Sequence, residues 1–253
     1  MLIRTRNLLE VRFLQIELRE QSRVLERNVR ERTRDLDESR FEMLERLARA
    51  AEYRDDATGE HTRRVGRTAA LIARAMEEPD RVVELIEQAA PLHDVGKIGI
   101  PDEILLKPRK LAAEEFDVIK THVTIGGSIL SHSRSPLLQM AEEIAFTHHE
   151  RWDGHGYVSG MRSVQIPLPG RIVAVADVFD ALTHERPYKD AIPVPEAVEE
   201  ICGLAGRQFD PAAVEAFETL DHESLAAVVD AGPVGAGADD GDHRSRFARS
   251  SGA

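Results

Sequence analysis

The stretch from Arg171 to His184, RIVAVADVFDALTH, decides the fold class of this chain of 253 residues. Its first half, Ile172 to Val175, has the apolar character of a buried strand. The apolar run continues past Asp177 and is too long for a typical strand, so it predicts a buried helix. A carboxylate inside an apolar helix needs a cation or several hydrogen-bond donors. The stretch therefore predicts both a helix and a polar site in the core.

Helical periodicity also runs through the rest of residues 52–230, and no alternating strand pattern or Asn-Gly hairpin signal interrupts it. We therefore predict an all-α fold, with a bundle domain at 51–230 and a disordered Gly/Ala/Asp/Ser-rich tail at 231–253. The main predicted helices of the bundle are Glu114–Leu130, Leu137–His149, Arg171–His184, Pro195–Leu204 and Asp210–Val229.

Residues 1–50 contain no Pro or Gly and predict one long helix. In a single heptad frame, core positions hold apolar residues such as Leu18, Leu25 and Leu36, but also polar ones such as Ser22 and Arg32. Two interpretations remain open. The helix forms a parallel homodimeric coiled coil, or it is amphipathic and folds back on its own domain.

Composition narrows the function classes. The net charge of -12 argues against a nucleic-acid polymer as partner, because such partners bind broad basic surfaces. A single cysteine, Cys202, excludes an internal disulfide and favours a reducing compartment. No apolar run is long enough to span a bilayer, and the N-terminus lacks a signal-peptide pattern. We therefore expect a cytoplasmic protein.

Histidines and aspartates carry the chemistry. In the adjacent pair His93-Asp94, an imidazole and a carboxylate can bind one metal ion or bridge two. On its own such a pair is more typical of a structural contact, but the neighbouring histidines His148 and His149 are costly to bury without partners. Five histidines and two aspartates favour a multinuclear Fe, Mn or Zn site without thiolates. They are His61, His93, Asp94, His122, His148, His149 and Asp177.

These residues resemble the HD-GYP family, bacterial metal-dependent phosphodiesterases that hydrolyse the second messenger cyclic di-GMP. The resemblance covers about residues 42–220. Its motifs are Tyr53-Arg54-Asp55, Thr58-Gly59-x-His61, His93-Asp94-Val95-Gly96-Lys97-Ile98-Gly99-Ile100-Pro101-Asp102, His122 with Gly126, His148-His149-Glu150-x-x-Asp153-Gly154-x-Gly156-Tyr157, Ile166-Pro167-Leu168, Asp177-Val178-Phe179-Asp180-Ala181-Leu182-Thr183 and Arg186-Pro187-Tyr188-Lys189.

The resemblance implies an HD-type helical bundle in which the seven residues above are metal ligands and Asp94 bridges two ions. A hydroxide held between two divalent ions, most often Fe or Mn with Zn or Ni also open, would cleave cyclic di-GMP to pGpG and further to GMP. Asp94 and Lys97 would act in catalysis, and an upstream sensor or receiver domain, or a partner protein, would supply the input. The implied substrate contacts are Lys97, Tyr157, Asp180, Arg186 and Lys189.

The sequence departs from the family pattern at several places, including His155 and Arg109, and two of the departures bear on metal number and activity. Ala57 stands where many members have a glutamate that supports a third metal ion, so two ions are expected rather than three. The GYP element reads Gly156-Tyr157-Val158 and lacks its proline. These changes keep two alternatives open, a catalytically weak cyclic di-GMP receptor and an HD-domain hydrolase of another nucleotide.

Overall fold

A computed structural model describes the protein at residues 2–54, 60–185 and 191–227, without the side chains of 2–11 and 37. Within these ranges no strand forms, apart from one isolated bridge between Ala205 and Phe209, so the all-α prediction is confirmed. The α-helices are α1 (Leu2–Glu52), α2 (His61–Ala75), α3 (Asp80–Ala89), α4 (Asp102–Leu105), α5 (Ala113–Leu130), α6 (Pro136–Thr147), α7 (Leu168–Thr183), α8 (Val194–Gly203), α9 (Pro211–Glu218) and α10 (His222–Ala226), with short 3-10 helices at Ala90–Leu92, Val95–Gly99 and Ser163–Gln165.

Helix α7 contains the decisive apolar stretch and lies in the core. Its Ile172, Val175 and Phe179 are buried, and α2 and α6 pack against it. Gly170 permits this close approach, since a Cβ there would lie 2.1 Å from Oγ1 of Thr147 at the end of α6. The packing places the end of α6 against the first turns of α7.

Helix α1 is 51 residues long, as the absence of Pro and Gly predicts. Over most of its length the apolar positions face solvent, and Leu18, Leu25 and Leu36 are each more than half exposed. Among the side chains of α1 that the structure describes, buried ones appear only near the C-terminal end, at Ala48, Ala51 and Glu52. The described part of α1 therefore does not fold its apolar positions back onto the bundle.

The C-terminal helices differ from the prediction. The single helix expected at Asp210–Val229 is wrong, because α9 ends at Glu218 and α10 begins at His222. Asp221 causes the break, since its carboxylate accepts a hydrogen bond from the Ser224 amide and caps a new helix. The predicted tail at 231–253 lies outside the described residues.

Candidate metal centre

The seven predicted ligands come from five separate parts of the chain, and the structure brings all of them together. His61 begins α2, the His93-Asp94 pair lies between two 3-10 helices, and His122 lies in the middle of α5. His148 and His149 directly follow the last turn of α6, and Asp177 lies in α7. All but His149 and Asp177 are buried.

Two groups of four donors share Asp94, and within each group the potential ligand atoms lie within 4.8 Å of one another. Asp177 is adjacent, with its Oδ1 atom 3.5 Å from Nε2 of His61 and 3.9 Å from Nε2 of His93. The first group is Asp94, His122, His148 and His149, and the second is Glu52, His61, His93 and Asp94.

Glu52 was not among the predicted ligands. It is the last residue of α1, only 2% exposed, and neither of its carboxylate oxygens has a hydrogen-bond partner. Burial raises the pKa of Glu52, so its ionised form is costly here unless a cation lies beside it. In the sequence, Glu52 directly precedes the Tyr53-Arg54-Asp55 motif. The glutamate of the family pattern corresponds instead to Ala57, which lies outside the described residues.

Three of the buried histidines share one orientation. In each, Nδ1 lies against a backbone carbonyl three or four residues earlier, which leaves Nε2 pointing into the site. All three Nε2 atoms are buried, make no well-aligned hydrogen bond and face the Asp94 carboxylate at 3.1 to 3.5 Å, which suits ligation of a metal ion between them. The Nδ1–carbonyl pairs are His93 with Ala90 at 2.9 Å, His122 with Ile119 at 2.6 Å, and His148 with Ile144 at 3.0 Å.

The electrostatics of the site also favour a cation. Although burial opposes ionisation of Asp94, Lys97 and His93 hold its pKa well below the ordinary value. Burial lowers the pKa of His148 and, more strongly, that of His149. Burial alone would also lower the pKa of His93. The carboxylates beside His93, led by Asp94, instead raise its pKa to about 9. The ionised carboxylate of Asp94 beside the neutral imidazoles of His148 and His149 is donor chemistry that suits a divalent ion, and an ion bound at His93 would displace the proton that its raised pKa retains.

Asp180 was predicted to contact substrate, and in the structure its carboxylate is engaged elsewhere. It is buried, its Oδ2 atom lies 2.6 Å from Nδ1 of His61, and the Arg64 guanidinium donates to both of its oxygens. Burial works against ionisation, yet these two partners hold the pKa of Asp180 below its ordinary value. A carboxylate on the far ring nitrogen of a ligand histidine fixes the orientation of that ring.

Two predicted substrate contacts lie beside the donor groups. The Lys97 ammonium is 2.9 Å from Oδ2 of Asp94. The Tyr157 ring stacks on His149 with ring centres 4.8 Å apart, and burial raises the pKa of its phenol, which therefore stays protonated. Arg186 and Lys189 lie outside the described residues.

Comparison with known proteins agrees with this site. A family model described as HD domain matches residues 45–213. A Thermotoga maritima protein named cyclic di-GMP phosphodiesterase is 51% identical over 200 residues, covering 79% of this chain and 54% of that protein. The Xanthomonas campestris cyclic di-GMP phosphodiesterase response regulator RpfG is 44% identical over 214 residues, covering 85% of this chain and 57% of that protein. The Vibrio cholerae 3'3'-cGAMP-specific phosphodiesterase 2 is 44% identical over 188 residues, covering 74% of this chain and 36% of that protein.

A solved structure shares the fold. It is a cyclic GMP-AMP phosphodiesterase of V. cholerae, V-cGAP3, with a TM-score of 0.52 at 20% identity, covering 71% of this chain and 48% of that one. The present chain spans little more than half the length of the first two relatives. The HD-domain match, the relatives and the shared motifs lead to one conclusion: the chain belongs to the HD domain family, in its HD-GYP branch.

Proposed function

We propose that this chain is a metal-dependent phosphodiesterase that hydrolyses cyclic di-GMP to pGpG. The observation that carries the proposal is the pair of donor groups joined at Asp94, with unbonded imidazole nitrogens facing inward and Lys97 at the edge. The printed names of the two relatives from T. maritima and X. campestris support the same substrate. Product analysis would also show whether pGpG is cleaved further to GMP.

The donor set favours two divalent ions per chain, since two groups of four donors share one carboxylate. The mixture of imidazole and carboxylate suits Fe or Mn, and it is also compatible with Zn or Ni. Glu52 places a carboxylate at the second group, so the alanine at position 57 does not by itself set the number of ions. Elemental analysis of the purified chain should give about two metal ions, whereas a constant three would contradict this count.

When bound, the ions supply Lewis acidity and an activated water molecule to the phosphodiester. Lys97 provides a fixed positive charge for the nonbridging phosphate oxygens, and Asp94 holds that ammonium in place. The protonated phenol of Tyr157 is a hydrogen-bond donor beside His149. Arg186 and Lys189 remain proposed contacts to phosphate or guanine.

The test is incubation of the metal-loaded chain with cyclic di-GMP and separation of the products by chromatography. We expect linear pGpG, and we expect its formation to be lost in Asp94→Ala and His148→Ala. His155→Ala is the matched control, because His155 is a highly exposed histidine near the same site. Wild-type protein that contains metal but releases no linear product would overturn the proposal.

Two alternatives have specific support. The altered element Gly156-Tyr157-Val158 favours a receptor that binds cyclic di-GMP without turnover, and calorimetry without product formation would identify it. The V. cholerae relative named for 3'3'-cGAMP favours hydrolysis of another cyclic dinucleotide. Parallel assays with both dinucleotides at equal concentration separate this alternative from the main proposal.

We further propose that α1 forms a parallel homodimer and connects the bundle to an input domain or partner protein. The support is the row of apolar side chains that α1 exposes, including Leu18, Leu25, Leu36 and Met43. A monomer by light scattering at micromolar concentration would refute the dimer. Among the described residues no helix is long and apolar enough to cross a membrane. The reducing compartment inferred from Cys202 stays a prediction.

A further inference from the structure

Arg54 lies two residues beyond the end of α1 and reaches across to the segment that follows Asp94. Its guanidinium donates to the carbonyls of Ile98 and Ile100 at 3.2 and 2.8 Å, and it approaches the Lys97 carbonyl at 3.5 Å. It also forms an ion pair with Asp102. The Arg54 side chain therefore contacts four residues between positions 97 and 102.

These carbonyls lie at and just beyond the end of the 3-10 helix Val95–Gly99. The last carbonyls of a helix lack the amide donors that a further turn would supply. The Lys97 carbonyl accepts from the Ile100 amide at 2.9 Å. The carbonyls that depend most on Arg54 are therefore those of Ile98 and Ile100. A guanidinium is suited to replace the missing amide donors, because its planar fork presents several N–H groups and its charge strengthens each bond. Arg54 thus acts as a C-terminal cap contributed by a different part of the chain.

The same 3-10 helix also packs tightly against the backbone of α5. A Cβ on Gly96 would lie 1.9 Å from the carbonyl oxygen of His122 and 2.4 Å from the amide nitrogen of Gly126, both in α5. Both α5 and Arg54 therefore hold the segment in place. Because Asp94 precedes it and Lys97 lies within it, its position sets the positions of both side chains.

We propose that Arg54 is a positioning residue that, together with the buried Glu52, makes the end of α1 part of the metal-binding unit. Glu52 places a carboxylate among the donors, and Arg54 fixes the backbone that carries Asp94 and Lys97. A displacement of the last turn of α1 would then reach the metal donors directly. The turnover part of this inference rests on the proposed phosphodiesterase function, whereas the metal-binding part does not.

The test uses the full chain, stripped of metal and titrated with Mn²⁺ alone by calorimetry. Arg54→Ala should weaken Mn²⁺ binding about tenfold or more, the effect of losing hydrogen bonds to a charged group. Arg54→Lys keeps the charge but not the fork, so it should recover part of the affinity. The matched control is Arg63→Ala, because Arg63 also pairs with α1, at Glu45, but is largely exposed.

Turnover is measured on bis(p-nitrophenyl) phosphate, which needs no guanine recognition. We expect Arg54→Ala to lower kcat with little change in KM, because the segment it fixes carries catalytic groups. Wild-type Mn²⁺ affinity and wild-type kcat in a folded Arg54→Ala protein would overturn the proposal. If that variant does not fold, wild-type values in Arg54→Lys would overturn it equally. A wild type that binds Mn²⁺ but does not cleave cyclic di-GMP would refute the proposed function and leave this test intact.

Discussion

The replacement Asp180→Asn distinguishes between two roles for one carboxylate. The family resemblance implies that Asp180 contacts substrate, whereas the structure places it between His61 and Arg64. The amide has nearly the same shape, keeps one acceptor oxygen and removes the negative charge. If Asp180 orients His61, the variant should bind metal more weakly. If it contacts substrate, the variant should bind metal normally.

The size of the effect follows from the contacts. Loss of a carboxylate behind a ligand histidine typically costs 10- to 100-fold in metal affinity, or about 1.4 to 2.7 kcal/mol. The variant also leaves the Arg64 guanidinium, 90% buried, without its close carboxylate. Breaking a buried ion pair costs about 3 to 5 kcal/mol, and the retained amide oxygen favours the lower value. In a domain of this size we expect Tm to fall by about 6 to 12 °C.

The assay is Mn²⁺ titration of metal-free protein, with Tm measured on the same samples. Asp210→Asn is the matched control, since Asp210 is equally buried and pairs with Arg171 without contacting any of the donor residues. The control should lose stability and keep its metal affinity. Unchanged Mn²⁺ affinity in Asp180→Asn, together with a raised KM for cyclic di-GMP, would refute the orienting role.

Three further results are expected. Gly96→Ala should lower the free energy of unfolding by about 1 to 3 kcal/mol or more, because the new Cβ would meet the α5 backbone. The variant should also bind Mn²⁺ more weakly. Normal Tm and normal metal content would contradict the tight packing. Chelation should lower Tm, because ions at 1,000 times their Kd stabilise the fold by about 4 kcal/mol; an unchanged scanning-calorimetry Tm would argue against tight metal binding. Burial, with help from Glu218, raises the pKa of Cys202 to about 11 from 9.0, so at pH 8 the thiolate is about a hundredfold scarcer than in an unperturbed thiol. Alkylation of Cys202 should therefore be slow at pH 8 and accelerate toward pH 11, and rapid labelling at pH 8 would contradict this burial.

The spacing of apolar residues in the sequence is sufficient to predict an all-α fold, because the core helices are long and strongly apolar. In α7 the apolar run extends over more than three turns, which no ordinary strand does, and Asp177 within it already indicated a polar site. His148 and His149 were recognisable for a similar reason, since two adjacent imidazoles are costly to bury without partners. These signals are local and need no knowledge of which helices touch.

Glu52 and Asp180 could not be assigned in the same way. Glu52 is one of many glutamates on a charged helix, and only the docking of the last turn of α1 makes it a buried donor. Asp180 lies on the same helix as Asp177, and the family resemblance implies a substrate contact for it. Its role depends on where the far nitrogen of His61 points, which is a tertiary property.

Part of the net charge of -12 comes from carboxylates gathered in this site. Glu52, Asp94 and Asp177 converge on one volume, where burial makes uncompensated carboxylates costly. Two divalent ions would offset these charges and leave positive potential next to Lys97. An acidic domain can therefore attract a small dianionic substrate while repelling a nucleic-acid polymer, because the attraction extends only about a Debye length from the ions. The same convergence explains why α1 matters to the chemistry, since one of the three carboxylates is the last residue of that helix.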